Sequence, residues 1–133
     1  MKQLLDKIRA AKRIYLIGNG GSYANAMHIA NDLIACGIKA HTLDPATLTM
    51  LGNDYGYQHV FEYWLRAVGE KEDLLIALSG SGKSKNILNA IAMANMLGMS
   101  VECIFGNELG QDMQTAEQHQ LQVGHELLRA LRK

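Results

Sequence analysis

The sequence predicts an α/β protein, a three-layer α/β/α sandwich around a mostly parallel sheet of four to five strands. Three observations carry this expectation. Short apolar runs alternate with longer segments whose apolar residues recur at helical spacing. Two glycine- and serine-rich turns, Gly18-Asn19-Gly20-Gly21-Ser22 and Ser79-Gly80-Ser81-Gly82-Lys83-Ser84, each stand between such a run and such a segment. The 133 residues, 48% hydrophobic and 20% charged with one proline, suit a single domain spanning 1–133 with one core.

The elements follow in order. Met1 to Ala11 reads as a short helix with Leu4, Leu5 and Ile8 on one side, and Arg13 to Ile17 as the first strand. Ser22 is the expected cap of a helix over Tyr23 to Cys36, which Gly37 stops. Ile38 to Leu43 reads as a strand. Asp44-Pro45 then opens a short helix through Leu51, by cap and N1-proline logic. Gly52-Asn53-Asp54-Tyr55-Gly56 reads as a turn cluster, followed by a helix from Val60 to Val68. Asp73 to Leu78 is the third strand, Ser84 to Leu97 a helix stopped by Gly98, and Val101 to Phe105 the fourth strand. In the tail, Thr115-Ala116-Glu117-Gln118 has the form of a capping box, which favours one helix from Ala116 to Arg132. The alternation of His119, Leu121 and Val123 with glutamines leaves a strand open there.

Composition excludes some functions. The formal charge is zero, and basic residues cluster only at Arg129, Arg132 and Lys133, so direct nucleic-acid binding is not expected. Cys36 and Cys103 form no CxxC, which fits a reducing compartment. No segment approaches membrane-spanning length and the amino-terminal segment has no signal-like apolar stretch, so a cytoplasmic protein is expected.

The two turns carry the chemistry. A strand that ends in such a turn and enters a helix aims free N–H groups and small hydroxyls at one point, where the helix dipole favours an anion. One such turn often does nothing but turn. Parallel topology sets two of them at the same carboxyl edge of the sheet, and a phosphate shared between them becomes the better account. Ala77 to Ser84 approaches the nucleotide P-loop pattern, but Ala77 stands where its first glycine belongs and the first turn lacks dinucleotide spacing. Nucleotide binding is therefore the minor alternative.

Three segments in order, Gly18 to Ser22 running into Ala26-Met27-His28, then Gly52 to Tyr57, then Ser79 to Ser84, resemble the sugar isomerase (SIS) phosphosugar-binding family. Within it the chain is most similar to phosphoheptose isomerases and their non-catalytic relatives, over about Arg13 to Phe105. The resemblance implies Ser79, Ser81 and Ser84, with the N–H groups around Gly80 and Gly82, as the phosphate cradle. It implies Asn19, Gly20, Gly21 and Ser22 near the sugar hydroxyls, with Asn53 and Asp54 at the rim. Lys83 is a further cation that either strengthens phosphate binding or points into solvent.

Aldose–ketose isomerisation needs a base for the proton beside the carbonyl and an acid for the carbonyl oxygen. By motif position the resemblance implies Asp32 and His125 for this work, and His28, Asp32, Glu117 and His125 as a set acceptable to zinc. Three departures bear on activity. Asp32 replaces a glutamate and falls short by roughly 1.5 Å, a misplacement able to cost about 10²-fold in rate. Cys36 stands where these isomerases tend to have an arginine, and Gly106 to Ala116 is too short for the family's last strand. His41, His59 and His119 lack matching partners and read as packed or solvent-facing. Phe61, Tyr63, Trp64 and the methionines Met93, Met96 and Met99 read as packing. Apolar surface on two helices, and the resemblance, imply a homodimer or homotetramer. The expected function is phosphoheptose-isomerase-like aldose–ketose isomerisation of a sugar phosphate. The alternative is a non-catalytic phosphosugar-sensing or partner-binding module.

Overall fold

A computed structural model of the protein describes residues 1–106 and 112–132. Its helices are α1 (Lys2–Ala10), α2 (Gly21–Ala35), α3 (Pro45–Tyr55), α4 (Val60–Val68), α5 (Lys85–Met96) and α6 (Met113–Leu131). Its strands are β1 (Ile14–Ile17), β2 (Ala40–His41), β3 (Leu74–Ser79) and β4 (Ser100–Phe105). They form one all-parallel sheet in the order β2-β1-β3-β4, with Ile17 beside Ala77 and Ser79 beside Phe105. The expected three-layer sandwich is therefore the fold found.

Strand periodicity builds the two cores. Ile14, Leu16, Leu74, Ile76 and Leu78 face one side and pack with Leu4 and Ile8 of α1, Ile29 and Leu33 of α2 and Leu127 of α6. Tyr15, Ile17, Leu75 and Ala77 face the other and pack with Leu51, Phe61, Trp64, Leu65, Ile87 and Ala90 from α3, α4 and α5. A strand buried on both faces reads as a continuous apolar run, and β3 is buried at all six positions. Each fully buried Leu or Ile contributes about 1.5–3 kcal/mol relative to exposure, so these two layers hold the strand ends, and the loops on them, in place.

Element bounds and caps depart from expectation in four places. Gly20, not Ser22, is the N-cap of α2. Ser22 lies inside the first turn, where its hydroxyl accepts from Gln120 Nε2 at 3.0 Å. The expected turn cluster at Gly52 to Gly56 is helical as far as Tyr55, because the Asp44 carboxylate caps α3 by accepting from the Thr47 N–H and the helix packs on α4. The strand expected over Ile38 to Leu43 shrinks to Ala40–His41. The tail is helical, which removes the strand alternative, but its cap is Asp112, accepting from the Thr115 N–H at 2.9 Å, and not Thr115 itself.

Gly37 ends α2 as expected: at φ 79° it lets its own N–H reach the Ile34 carbonyl and that of Ile38 reach Leu33. The stretch Gly106 to Ala116, expected to be too short for a last strand, falls mostly on residues 107–111, which lie outside the described residues, as does Lys133 of the basic terminus.

Candidate functional site

Chain order reverses between β1 and β3: β2 lies outside β1, and β4 outside β3. After β1 the chain enters α2 on one face of the sheet, and after β3 it enters α5 on the other. The two loops part at the carboxyl edge and leave a crevice there, where open α/β sheets place ligands. It holds a small cavity of about 60 Å³ lined by Asn19, Ser22, Ser79, Gly80, Ser81, Ser84 and Met113. A larger hollow of about 650 Å³ beside Tyr23, Met27, Leu43 and Leu48 is mainly apolar and lacks such convergent hydroxyls. The small cavity is the candidate site: four hydroxyls and a helix N-terminus meet in it.

The cavity is held by its own hydrogen bonds. Ser79 Oγ accepts from the Gly82 N–H and Ser81 Oγ from the Lys83 N–H, both at 3.0 Å, which folds the loop and leaves each hydroxyl proton to donate. Ser84 is the N-cap of α5 and makes no side-chain cap bond, so its hydroxyl is unspent. Across the crevice, Ser22 is buried and held by Gln120, while Gly20 and Gly21 lie exposed at the mouth. Lys83 is exposed. Burial pushes the Tyr23 hydroxyl up, with Asp44 adding to it, so it remains a donor to the Leu43 carbonyl and ties α2 to the β2–α3 junction.

Asn53 and Asp54 do not line the cavity. They sit exposed on the last turn of α3, with Asn53 Nδ2 donating to Asp54 Oδ1 at 3.2 Å. Their segment connects to the site through Tyr57, whose hydroxyl donates to Asn19 Oδ1 at 2.7 Å.

The residues singled out for acid–base and metal work separate into two places. His28 Nε2 lies 3.5 Å from Asp32 Oδ2, and the His28 and His125 rings are 5.7 Å apart in edge contact. Asp32 Oδ2 is buried without a hydrogen-bond partner among the described residues. Glu117 is elsewhere: its carboxylate rests against Gly21, where a Cβ on that glycine would stand 1.9 Å from Oε2. Glu117 and His125 lie eight residues apart on one helix, about 12 Å along its axis. Among the described residues no three His, Cys, Asp or Glu side chains are grouped to hold a metal.

Two polar residues at this site escaped the sequence reading. Gln120 is fully buried, donates to Ser22 and accepts from Asn25, while Asn25 also donates to the Glu117 carbonyl. Asn86, 4% exposed, pairs with Asn19. Each stands on an apolar stripe, with Ala116, Gly124 and Leu127 or with Ile87, Ala90 and Ala94, and a polar residue on such a stripe was the available signal.

Comparison with known proteins decides the family, because the model described as "SIS domain" matches residues 1–106. The chain belongs to the SIS domain family. This SIS chain is 38% identical over 120 residues to a protein named phosphoheptose isomerase from Akkermansia muciniphila, covering 84% of the chain and 64% of that relative. It is 36% identical over 121 residues to one from Glaesserella parasuis, covering 86% and 63%. The SIS chain thus spans slightly under two thirds of the length of these relatives. Its structure is similar to that of a phosphoheptose isomerase from Neisseria gonorrhoeae, with TM-score 0.86 and 27% identity over 98% of this chain and 82% of that one.

Proposed function

We propose that this SIS chain binds a sugar phosphate, with the phosphate in the cavity between the β1 and β3 loops, and performs phosphoheptose-type aldose–ketose isomerisation. The observation that carries the reading is the convergence of Ser22, Ser79, Ser81 and Ser84 on one 60 Å³ cavity at the N-terminus of α5. That volume suits a single phosphate group and not a nucleotide polyphosphate. The Ser79, Ser81 and Ser84 hydroxyls and the Gly80 N–H hold the phosphate oxygens, while the Gly82 N–H, bonded to Ser79 Oγ, keeps the loop folded around them. Asn19, Gly20, Gly21 and Ser22, with Asn53 and Asp54 outside them, face the sugar. The names and resemblance of the relatives support this choice of ligand.

In the reaction, the Asp32 carboxylate removes the proton from the carbon beside the carbonyl while the His125 imidazolium protonates the carbonyl oxygen, giving an enediol. Return of the carboxyl proton to the neighbouring carbon, with loss of the hydroxyl proton to His125, completes the isomerisation with no net change in atoms. His28, 3.5 Å from Asp32, orients that carboxylate.

Along α2, His28 lies about 9 Å and Asp32 about 15 Å beyond Ser22. This separation favours a dimer or tetramer in which the acid–base pair of one copy serves the cavity of another. Met27 and Ile34, 50% and 54% exposed on α2, support self-association. Mixing Asp32→Asn with a Ser81→Ala/Ser84→Ala double variant, which loses the cradle, regains activity if sites are shared in this way.

The rival reading, a non-catalytic phosphosugar-sensing or partner-binding module, keeps the cavity and drops the chemistry; the shortness of Asp32 favours it. Calorimetric titration with sedoheptulose 7-phosphate tests the shared part. Ser84→Ala, which removes a hydroxyl bonded to a charged group, is expected to weaken binding about tenfold or more. Unchanged affinity rejects the cavity assignment.

A further inference from the structure

Asn19 and Asn86 exchange two hydrogen bonds across the crevice: Asn19 Nδ2 donates to Asn86 Oδ1, and Asn86 Nδ2 donates to Asn19 Oδ1, both at 2.9 Å. Reversing one amide alone would set oxygen against oxygen and N–H against N–H, so the pairing fixes the two orientations relative to each other. Tyr57 supplies a second donor to the same Asn19 oxygen at 2.7 Å. The Asn19 oxygen is therefore fully used, and one of its two N–H groups is spent. A residue so committed has little left with which to bind a sugar.

These three residues come from three segments. Asn19 lies in the loop after β1, Asn86 in the first turn of α5 directly behind the serine loop, and Tyr57 in the 3₁₀ turn after α3. The backbone offers no equivalent tie between the loops, because β1 and β3 diverge beyond the Ile17–Ala77 pair. From this geometry we infer that Asn86, with Tyr57, is a positioning residue. It acts through Asn19 to set the gap between the phosphate loop and the sugar-facing loop, so that one ligand can touch both. The inference rests on the sugar-phosphate reading and changes the role of Asn19 within it, from a sugar contact to the hinge pin of a clamp.

The clamp distinguishes ligands by their reach. Inorganic phosphate takes most of its bonds from the serine loop, with Ser22 lining the cavity from the buried side of the other, whereas a sugar phosphate needs both loops at the correct spacing. Loosening the clamp must therefore penalise the second ligand more than the first, a selectivity that general destabilisation does not produce.

The test titrates the full chain with inorganic phosphate and with sedoheptulose 7-phosphate, comparing wild type, Asn86→Ala and Tyr57→Phe. Asn86 is buried, so Asn86→Ala risks misfolding; Tyr57 is 54% exposed and Tyr57→Phe removes only a hydroxyl. The expected result is about a tenfold loss of sugar-phosphate affinity for Asn86→Ala and a severalfold loss for Tyr57→Phe, with inorganic phosphate affinity held within about twofold. Amide hydrogen exchange of Gly20 to Ser22 should quicken in both variants while that of β3 does not. Equal losses for the two ligands, or no loss for either, overturn the clamp. A wild-type protein that binds neither ligand overturns the sugar-phosphate reading itself, a result separate from wild type and variants binding equally well.

Discussion

Replacing Gly18 with alanine probes how the strand-to-helix crossing sets the cavity. Gly18 is buried directly after β1, and a Cβ there would stand 2.6 Å from the Ser22 carbonyl carbon, 2.7 Å from its oxygen and 2.9 Å from the Tyr23 nitrogen. All three are backbone atoms of the first turn of α2, so no rotamer change relieves the clash. Reaching an ordinary contact of 3.4 Å requires that turn to retreat by about 0.8 Å. Overpacking of this kind costs about 1–3 kcal/mol, which lowers Tm by roughly 4–12 °C in a domain of this size. The same retreat carries Asn19 and Ser22 away from the serine loop, and loss of a hydrogen bond to a charged ligand costs about 1.5–3 kcal/mol, or roughly tenfold or more in affinity. Thermal unfolding and titration with sedoheptulose 7-phosphate, done on the same sample, read both effects. A Gly18→Ala protein with wild-type Tm and wild-type affinity would refute the reasoning that this close approach sets the loop spacing.

Other perturbations act on separate parts of the molecule. Asp32→Asn and His125→Ala should each lower turnover by about 10²–10⁴-fold while sugar-phosphate affinity stays near wild type; a parallel loss of binding would place them in the cradle instead. The Thr47 and Thr115 N–H groups hold the Asp44 and Asp112 carboxyls below their ordinary value of 3.8. A carboxyl whose folded-state pKa is depressed stabilises the fold above its unfolded value, and that contribution is lost as pH falls through the folded value. Thermal unfolding followed from pH 7 to 2 should therefore show part of the acid loss below about pH 4, and Asp112→Asn should flatten it. An identical acid profile for that variant would mean that the cap contributes nothing.

Local patterns in the sequence made most of the fold legible, because adjacent residues report them. Asp44-Pro45 marked the start of α3, Gly37 and Gly98 the ends of α2 and α5, and the apolar run Leu74 to Leu78 a strand buried on both faces. Misreadings occurred where tertiary contacts overrode local preference. Gly52, Asn53 and Asp54 are poor helix formers, yet packing of α3 on α4 carries the helix through them. Thr115 has the form of a cap, but Asp112 lies one turn earlier and takes the Thr115 N–H.

The serine loop was legible as chemistry because its residues are consecutive. The pairing of Asn19 with Asn86, 67 residues away, and the burial of Gln120 against Ser22 depend on the fold and leave only a polar residue on an apolar stripe as their trace. The separation of Glu117 from His125 follows from helix geometry once α6 is known to be one continuous helix.

The most direct test of the account is a ¹H NMR time course of the purified protein with sedoheptulose 7-phosphate in D₂O, with and without added zinc. The account predicts deuterium entering the carbon beside the carbonyl and an aldose signal appearing, both lost in Asp32→Asn. Line-broadened ligand without exchange under either condition would contradict the isomerase reading and leave a phosphosugar-binding module.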